Sequence, residues 1–324
     1  MIALSSLRKR VSASFCVVCF SCLPQAQAQE PAIEEFDSVC VLKLVQEADV
    51  TMSIGEVRDR CKPKEDVTLV EQRNERERTL FGDKYSILLH RDNYLLSVTH
   101  NRKPGRALDE FGEAREIDAE EIKFQISLKS LLLNNLPFDA QLFAAYTNQS
   151  HWQAYNTDDS RPFRETNHQP EIFVDIPLDR KWRGVKLNTL RFGLNHQSNG
   201  RSGVISRSWN RTYAELLLST KYSEVGFKTW WQVSTDEDNP DIDDYMGNFQ
   251  LEALRKIGKH QLHLMLRHNL KSESRGAIEL GVSRNLGARE DLRLYLQYFN
   301  GYGESLIDYD RKTERIGLGF KIGN

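Results

Sequence analysis

Cysteine is scarce in this chain and poorly placed for chemistry. There are five in 324 residues, and Cys16, Cys19 and Cys22 all fall near the N-terminus. Beyond residue 28 only Cys40 and Cys61 remain, and that stretch has no CxxC, no HExxH and no Gly-rich phosphate loop. Zinc-ribbon, thioredoxin-like and P-loop chemistries are thereby excluded. Charge of one sign is also missing. Forty-four Lys and Arg against 46 Asp and Glu give a net charge of −2, so there is no polycation for nucleic acid. No run approaches the ~18 apolar residues of a membrane-spanning helix. His100, His151 and His263 show no metal-ligand spacing.

The N-terminus reads as an export address. Arg8, Lys9 and Arg10 precede a short apolar run from Val11 to Leu23, and Ala26-Gln27-Ala28 is an A-x-A cleavage site. Residues 1–28 are therefore expected to be removed. Lipidation at Cys22 is the weaker competitor, since Phe20 and Leu23 fit a lipobox poorly. In an exported chain the Cys40 and Cys61 pair reads as a disulfide. Residues 29–80 are expected to form a small, largely helical extension stapled by that bond. Ser53 and Glu56 make a capping box for a helix reaching about Cys61. The mixed charge run over 70–79 reads as a solvated linker or helix face.

From Tyr85 the pattern becomes period two. Leu292, Leu294, Leu296 and Tyr298 alternate with Arg293, Tyr295 and Gln297. Ile316, Leu318, Phe320 and Ile322 alternate with Arg315, Gly317, Gly319 and Lys321. Twelve such segments can be marked, starting near 84, 120, 139, 168, 182, 208, 223, 247, 260, 275, 291 and 312. They are long for a soluble sandwich, and about ten residues suffice for a tilted strand to cross a bilayer. Polar residues on the second parity suit a lumen. The expectation is an all-β, 12-stranded antiparallel transmembrane β-barrel over 81–324, although the chain ends Ile322-Gly323-Asn324 without a terminal aromatic. Counting strands from an internal N-terminus puts the links after strands three and five outside, and these are long.

One stretch is chemically out of place. Leu190, Phe192, Leu194, His196 and Ser198 share a parity, so an imidazole and a hydroxyl end an apolar stripe. A turn-rich segment follows, and alternation resumes with Asn210 near the level of His196. A hydroxyl becomes a nucleophile when an adjacent imidazole takes its proton and a third group fixes the tautomer. Ser198, His196 and Asn210 are the candidates for those roles.

The run Asn195-His-Gln-Ser-Asn-Gly-Arg-Ser202, followed by Ser206-Arg-Ser-Trp-Asn-Arg211, resembles the active-site signature of the bacterial outer-membrane phospholipase A family. Arg161-Pro-Phe-Arg-Glu-Thr-Asn167 is similar to a second family block, in the right order. The resemblance implies a twelve-stranded outer-membrane barrel that hydrolyses phospholipid acyl esters with calcium and is activated as a homodimer. It implies Gly200 N–H as an oxyanion-hole donor. It also implies calcium ligands at the Arg201 carbonyl, the Ser206 hydroxyl and Ser160 from a second subunit. The family has a further aspartate just after its Arg-Ser pair. Gly203 stands near there in this chain, a departure from the pattern at the secondary, monomer-type calcium site. Trp209 is expected at the membrane interface, Arg164 and Glu165 as a lumen ion pair, and His168 at the head of a strand with no chemistry. A porin-like passive channel and a soluble sandwich esterase are the competing readings.

Overall fold

The computed structural model describes Val41, Leu44 and residues 53–61, 67–80, 86–105, 113, 115–158, 161–234, 237–287 and 289–323. Residues 1–28, Cys40 and Ser160 lie outside these. The chain divides into two compact units, Met1–Pro63 and Lys64–Asn324.

In the first unit, helix α1 (Ile54–Arg60) starts at the capping box. The Ser53 N–H donates to the Glu56 carboxylate at 2.9 Å, and the Glu56 N–H donates to Ser53 Oγ at 3.3 Å. Cys61 caps its C-terminus and is disulfide-bonded.

The second unit is one antiparallel sheet closed on itself. Its strands are β1 (Ile87–Leu89), β2 (Asn93–Asn101), β3 (Glu120–Leu136), β4 (Ala140–Trp152), β5 (Phe163–Trp182), β6 (Val185–Ser198) and β7 (Ser208–Ser219). They continue as β8 (Ser223–Ser234), β9 (Phe249–Ile257), β10 (His260–His268), β11 (Gly276–Leu286), β12 (Arg289–Gly301) and β13 (Thr313–Ile322). From β2 onward each strand pairs with the next, and β13 pairs with β2 to close the ring. β1 and β2 both run along β3 and are one stave interrupted at His90–Asp92, so the barrel has twelve staves. Closure removes every sheet edge, which backbone polar groups in hydrocarbon require.

The faces are inverted relative to a soluble protein. Phe192, Leu194, Leu294, Leu296, Leu318 and Phe320 are exposed on the outside. Inside, charged and aromatic side chains are buried against one another. Arg191 binds Asp175 at 2.6 and 2.8 Å and stacks 4.1 Å over Phe173. Glu171 accepts from Arg91 at 3.0 Å and from the Tyr213 hydroxyl at 2.9 Å, and its Oε1 lies 2.9 Å from His90. Gly193 has no side chain because the Tyr213 ring passes where a Cβ would stand, 2.6 Å away. In low dielectric each such charge needs a partner. Among the described residues, charged and aromatic side chains thus pack the lumen.

The short turns lie at one end and the long loops at the other. Arg183-Gly184 makes a tight turn, both residues at positive φ. At the long-loop end, α3 (Ile242–Met246) and the 302–312 loop fold into the mouth, where Ile242, Met246, Leu306 and Tyr309 join Trp209, Tyr213 and Trp230 in one buried cluster. Glu304 in that loop is bound by Lys123 and Arg315, each at 3.0 Å. Burial opposes its charge, but Arg315 and Lys123 more than offset that and hold its carboxyl well below the usual range.

Three expectations need correction. The charge run over 70–79 is helix α2 (Leu69–Leu80), solvated on one side only: Glu75, Arg76 and Arg78 are exposed, while the other side binds the barrel. Thr68 and Glu71 cap it, Arg73 forks onto Glu224 with both contacts at 3.0 Å, and Glu77 accepts from Lys129 at 2.8 Å. Strand β5 begins at Phe163, not 168. A bulge at its start opposes Trp152 with Phe163 and His151 with Glu165, leaving Arg164 as the extra residue. The bulge turns Arg164 and Glu165 both inward, to separate partners. Arg164 binds Glu121 at 2.5 Å and Asp308 at 2.7 Å. Glu165 accepts from Asn167 Nδ2 at 2.7 Å and Ile307 N–H at 3.0 Å.

Candidate active site

Strands β6 and β7 form a hairpin across the 199–207 loop, with Ser198 opposite Ser208 and His196 opposite Asn210. Parity then sorts the motif. His196, Ser198 and Asn210 lie on the outer face, in line with Phe192 and Leu194. Asn195, Gln197, Trp209 and Arg211 lie on the inner one. Arg211 donates to both Asn195 Oδ1 and Gln197 Oε1, Trp209 Nε1–H donates to Gln197 Oε1 at 2.9 Å, and the Arg211 guanidinium lies 3.8 Å over the Trp209 ring. Half of the motif is therefore a buried brace that stiffens the hairpin behind the outer half. Trp209 is not an interface anchor: it is 1 % exposed and packs edge-on against Trp230 in the lumen.

His196 Nδ1 lies 2.9 Å from Asn210 Oδ1, and Asn210 Nδ2 donates to Ser234 Oγ at 3.0 Å. The second bond fixes the amide's orientation. With Nδ2 committed to Ser234 on β8, Oδ1 faces the imidazole, so Nδ1 carries the proton and Nε2 is left as a bare base. Ser234 has no sequence motif around it. It is found only through the β7–β8 register, which pairs it with Asn210.

The loop after Ser198 is drawn together by Asn199. Its Oδ1 accepts from Arg201 N–H at 3.3 Å and Arg207 N–H at 3.0 Å, and its Nδ2 donates to the Ile205 carbonyl at 2.8 Å. Gly200 follows at φ +64°, a backbone conformation that glycine adopts without strain. Arg201 Nη2 donates to the Phe163 carbonyl at 3.3 Å, tying this loop to the start of β5. Arg201 and Ser206 are thus held on one small closed loop, beyond Ser198. Among the described residues there is no cluster of three or more acidic, His or Cys side chains able to hold a metal. Oxygen donors here are carbonyls and hydroxyls.

A closed barrel with an apolar exterior and a packed polar lumen defines an outer-membrane β-barrel protein. The phospholipase A1 family model matches residues 70–322. Phospholipase A1 of Klebsiella pneumoniae is 38% identical over 236 residues, 72% of this chain and 82% of the relative. That of Escherichia coli K12 is 38% identical over 233 residues, 72% and 80% of the two chains. The Salmonella typhi outer membrane phospholipase dimer with bound calcium superposes with a TM-score of 0.69 at 34% identity, covering 74% of this chain and 93% of that one. An Asn-to-Ala active-site mutant of the Escherichia coli outer membrane phospholipase A gives 0.70 at 34% identity over 75% and 94%. The chain belongs to the phospholipase A1 family and is a phospholipase of the outer membrane.

Proposed function

We propose that Ser198, His196 and Asn210 hydrolyse acyl esters of phospholipids at the outer, lipid-facing wall of the barrel. The observation that carries this is the 2.9 Å contact between His196 Nδ1 and Asn210 Oδ1 on the same face as Ser198. Ser198 Oγ attacks the ester carbonyl while His196 Nε2 takes its proton. His196 then gives that proton to the leaving glycerol oxygen, and water completes the cycle by hydrolysing the acyl-serine. Asn210 holds the tautomer through Nδ1. Being neutral, it stabilises the imidazolium less than a carboxylate would. The active-site asparagine of the Escherichia coli relative supports this role. Gly200 N–H is the proposed oxyanion donor. Esters at either glycerol position, and lysophospholipids, are the proposed substrates.

Calcium fits the donor set. The Arg201 carbonyl and Ser206 hydroxyl are hard oxygen ligands on a loop held shut by Asn199. Calcium takes about 6–8 oxygens, so two from one chain leave most positions to water and to another copy. Ser160 of the partner subunit is the proposed third ligand, which couples the ion to dimerisation. Bound there, calcium would polarise a water as a second donor to the oxyanion. The calcium-bound dimer of the Salmonella relative supports this arrangement. Residues 1–28 are proposed as the cleaved signal and 29–80 as an extension held by a Cys40–Cys61 disulfide.

Refolded protein is expected to lose most phospholipid hydrolysis in a calcium chelator and to recover it on adding calcium. Crosslinked dimers should keep activity that a locked monomer lacks. Unchanged hydrolysis in chelator, or a fully active locked monomer, would count against this calcium and dimer assignment. Asn210→Ala should lower kcat on the order of 10²- to 10³-fold, and Ser234→Ala by only about tenfold or less, because it acts through the amide's orientation. Equal losses in the two variants would contradict that order.

A further inference from the structure

His168 lies within the same site rather than at the head of a strand. The β5–β6 register sets it directly opposite Ser198. On β5, Asn167, Gln169 and Glu171 are buried inward, while His168 alternates onto the outer face with Pro170 and Ile172. Its Nδ1 lies 2.6 Å from the Tyr146 hydroxyl, and the two rings stack at 6.2 Å and 29°. Its other edge meets the loop. A Cβ on Gly200 would stand 3.4 Å from His168 Cδ2 and 3.5 Å from Nε2. So the imidazole lies in van der Waals range beside the backbone of the proposed oxyanion donor.

The Tyr146 contact is compatible with a phenol O–H donating to Nδ1, and the tautomer that accepts this bond carries its proton at Nε2. That N–H points toward Gly200 and has no hydrogen-bond partner among the described residues. A polar N–H at the rim of a hydrocarbon belt favours an oxygen acceptor, and a substrate carbonyl can supply one.

We propose that His168 is a further catalytic residue, its Nε2–H donating to the ester carbonyl oxygen as that oxygen becomes anionic. No proton leaves His168. It adds a preorganised donor on the β5 side of a site otherwise built from β6 and β7. The proposal rests on the hydrolytic reading above. The test measures kcat and KM of the refolded full chain on phosphatidylcholine in mixed micelles, with barrel closure checked by heat-modifiable gel mobility. His168→Phe should lower kcat on the order of 10²-fold with KM within about twofold, and His168→Gln, which keeps a donor, should retain more. Tyr146→Phe should lose less than His168→Phe, because it frees the tautomer without removing the ring. Full kcat in His168→Phe, or a raised KM at unchanged kcat, would overturn the assignment. Ser198→Ala run alongside separates the two failures: an inactive Ser198→Ala with an active His168→Phe sinks only this inference, whereas an active Ser198→Ala sinks the hydrolytic reading itself.

Discussion

Ser198→Ala is expected to abolish phospholipid hydrolysis, with kcat falling on the order of 10⁴-fold or more, while the barrel folds as before. The size follows from the loss of the atom that forms the acyl intermediate. Removing a nucleophile leaves only the rate supplied by binding and oxyanion stabilisation. The selectivity follows from position. Ser198 is the last residue of β6 and lies on the outer face, and the bonds that stiffen the hairpin run through Asn195, Gln197, Trp209 and Arg211 on the other face. Stability should therefore change by no more than about 0.5 kcal/mol, as for substitutions away from packed or bonded groups. Hydrolysis assays paired with heat-modifiable gel mobility separate the two effects. Retained hydrolysis in a folded variant would remove Ser198 from the mechanism, and loss of both activity and folding would assign it a structural role.

Glu121→Ala should have the largest effect on stability. Glu121 sits inside the barrel, 2 % exposed, and is bound by Arg164 at 2.5 Å, Arg315 at 2.8 Å and Gln153 at 2.8 Å, with His151 at 3.7 Å. Its removal leaves two guanidinium groups short of a counter-charge in a place water does not reach. Breaking a buried pair from one side costs about 3–5 kcal/mol. The damage should spread to the loop end. Arg164 also holds Asp308 of the 302–312 loop, and Gln153 bonds the Asp118 backbone. Denaturant midpoints of the barrel refolded in detergent micelles give the measurement. A midpoint unchanged from the parent chain would show that these charges are solvated. Glu121→Gln, which keeps acceptors but not charge, should fall between the two.

Much of the barrel is legible because its information is local. Alternation along Leu292–Tyr298 and Ile316–Ile322 needs only neighbours two residues apart, and the structure buries Arg293, Tyr295, Gln297 and Arg315 while exposing Leu294, Leu296 and Ile316. The capping box at Ser53 is equally local. The position of Trp209 was legible too. Once Asn210 faces outward, parity sends Trp209 into the lumen, and a general association of tryptophan with membrane interfaces hid that step. What sequence could not supply are partners brought together by register. Ser234 reaches Asn210 across β7–β8, and the β5–β6 register sets His168 opposite Ser198. A bulge at Arg164 shifts the start of β5 and hides His168 inside a longer strand. The charges of α2 look solvated because their partners, Lys129, Lys186 and Glu224, are more than fifty residues away, the nearest pair being separated by 52.

A serine facing the bilayer is the proposed nucleophile. Incubating the refolded full chain with an alkyl fluorophosphonate in calcium, then mapping adducts by peptide mass spectrometry, puts that assignment to the test. One stoichiometric adduct on Ser198, appearing in step with loss of hydrolysis and absent from His196→Ala, is the expected result. Complete inactivation with the label on another residue, or with Ser198 unmodified, would contradict it.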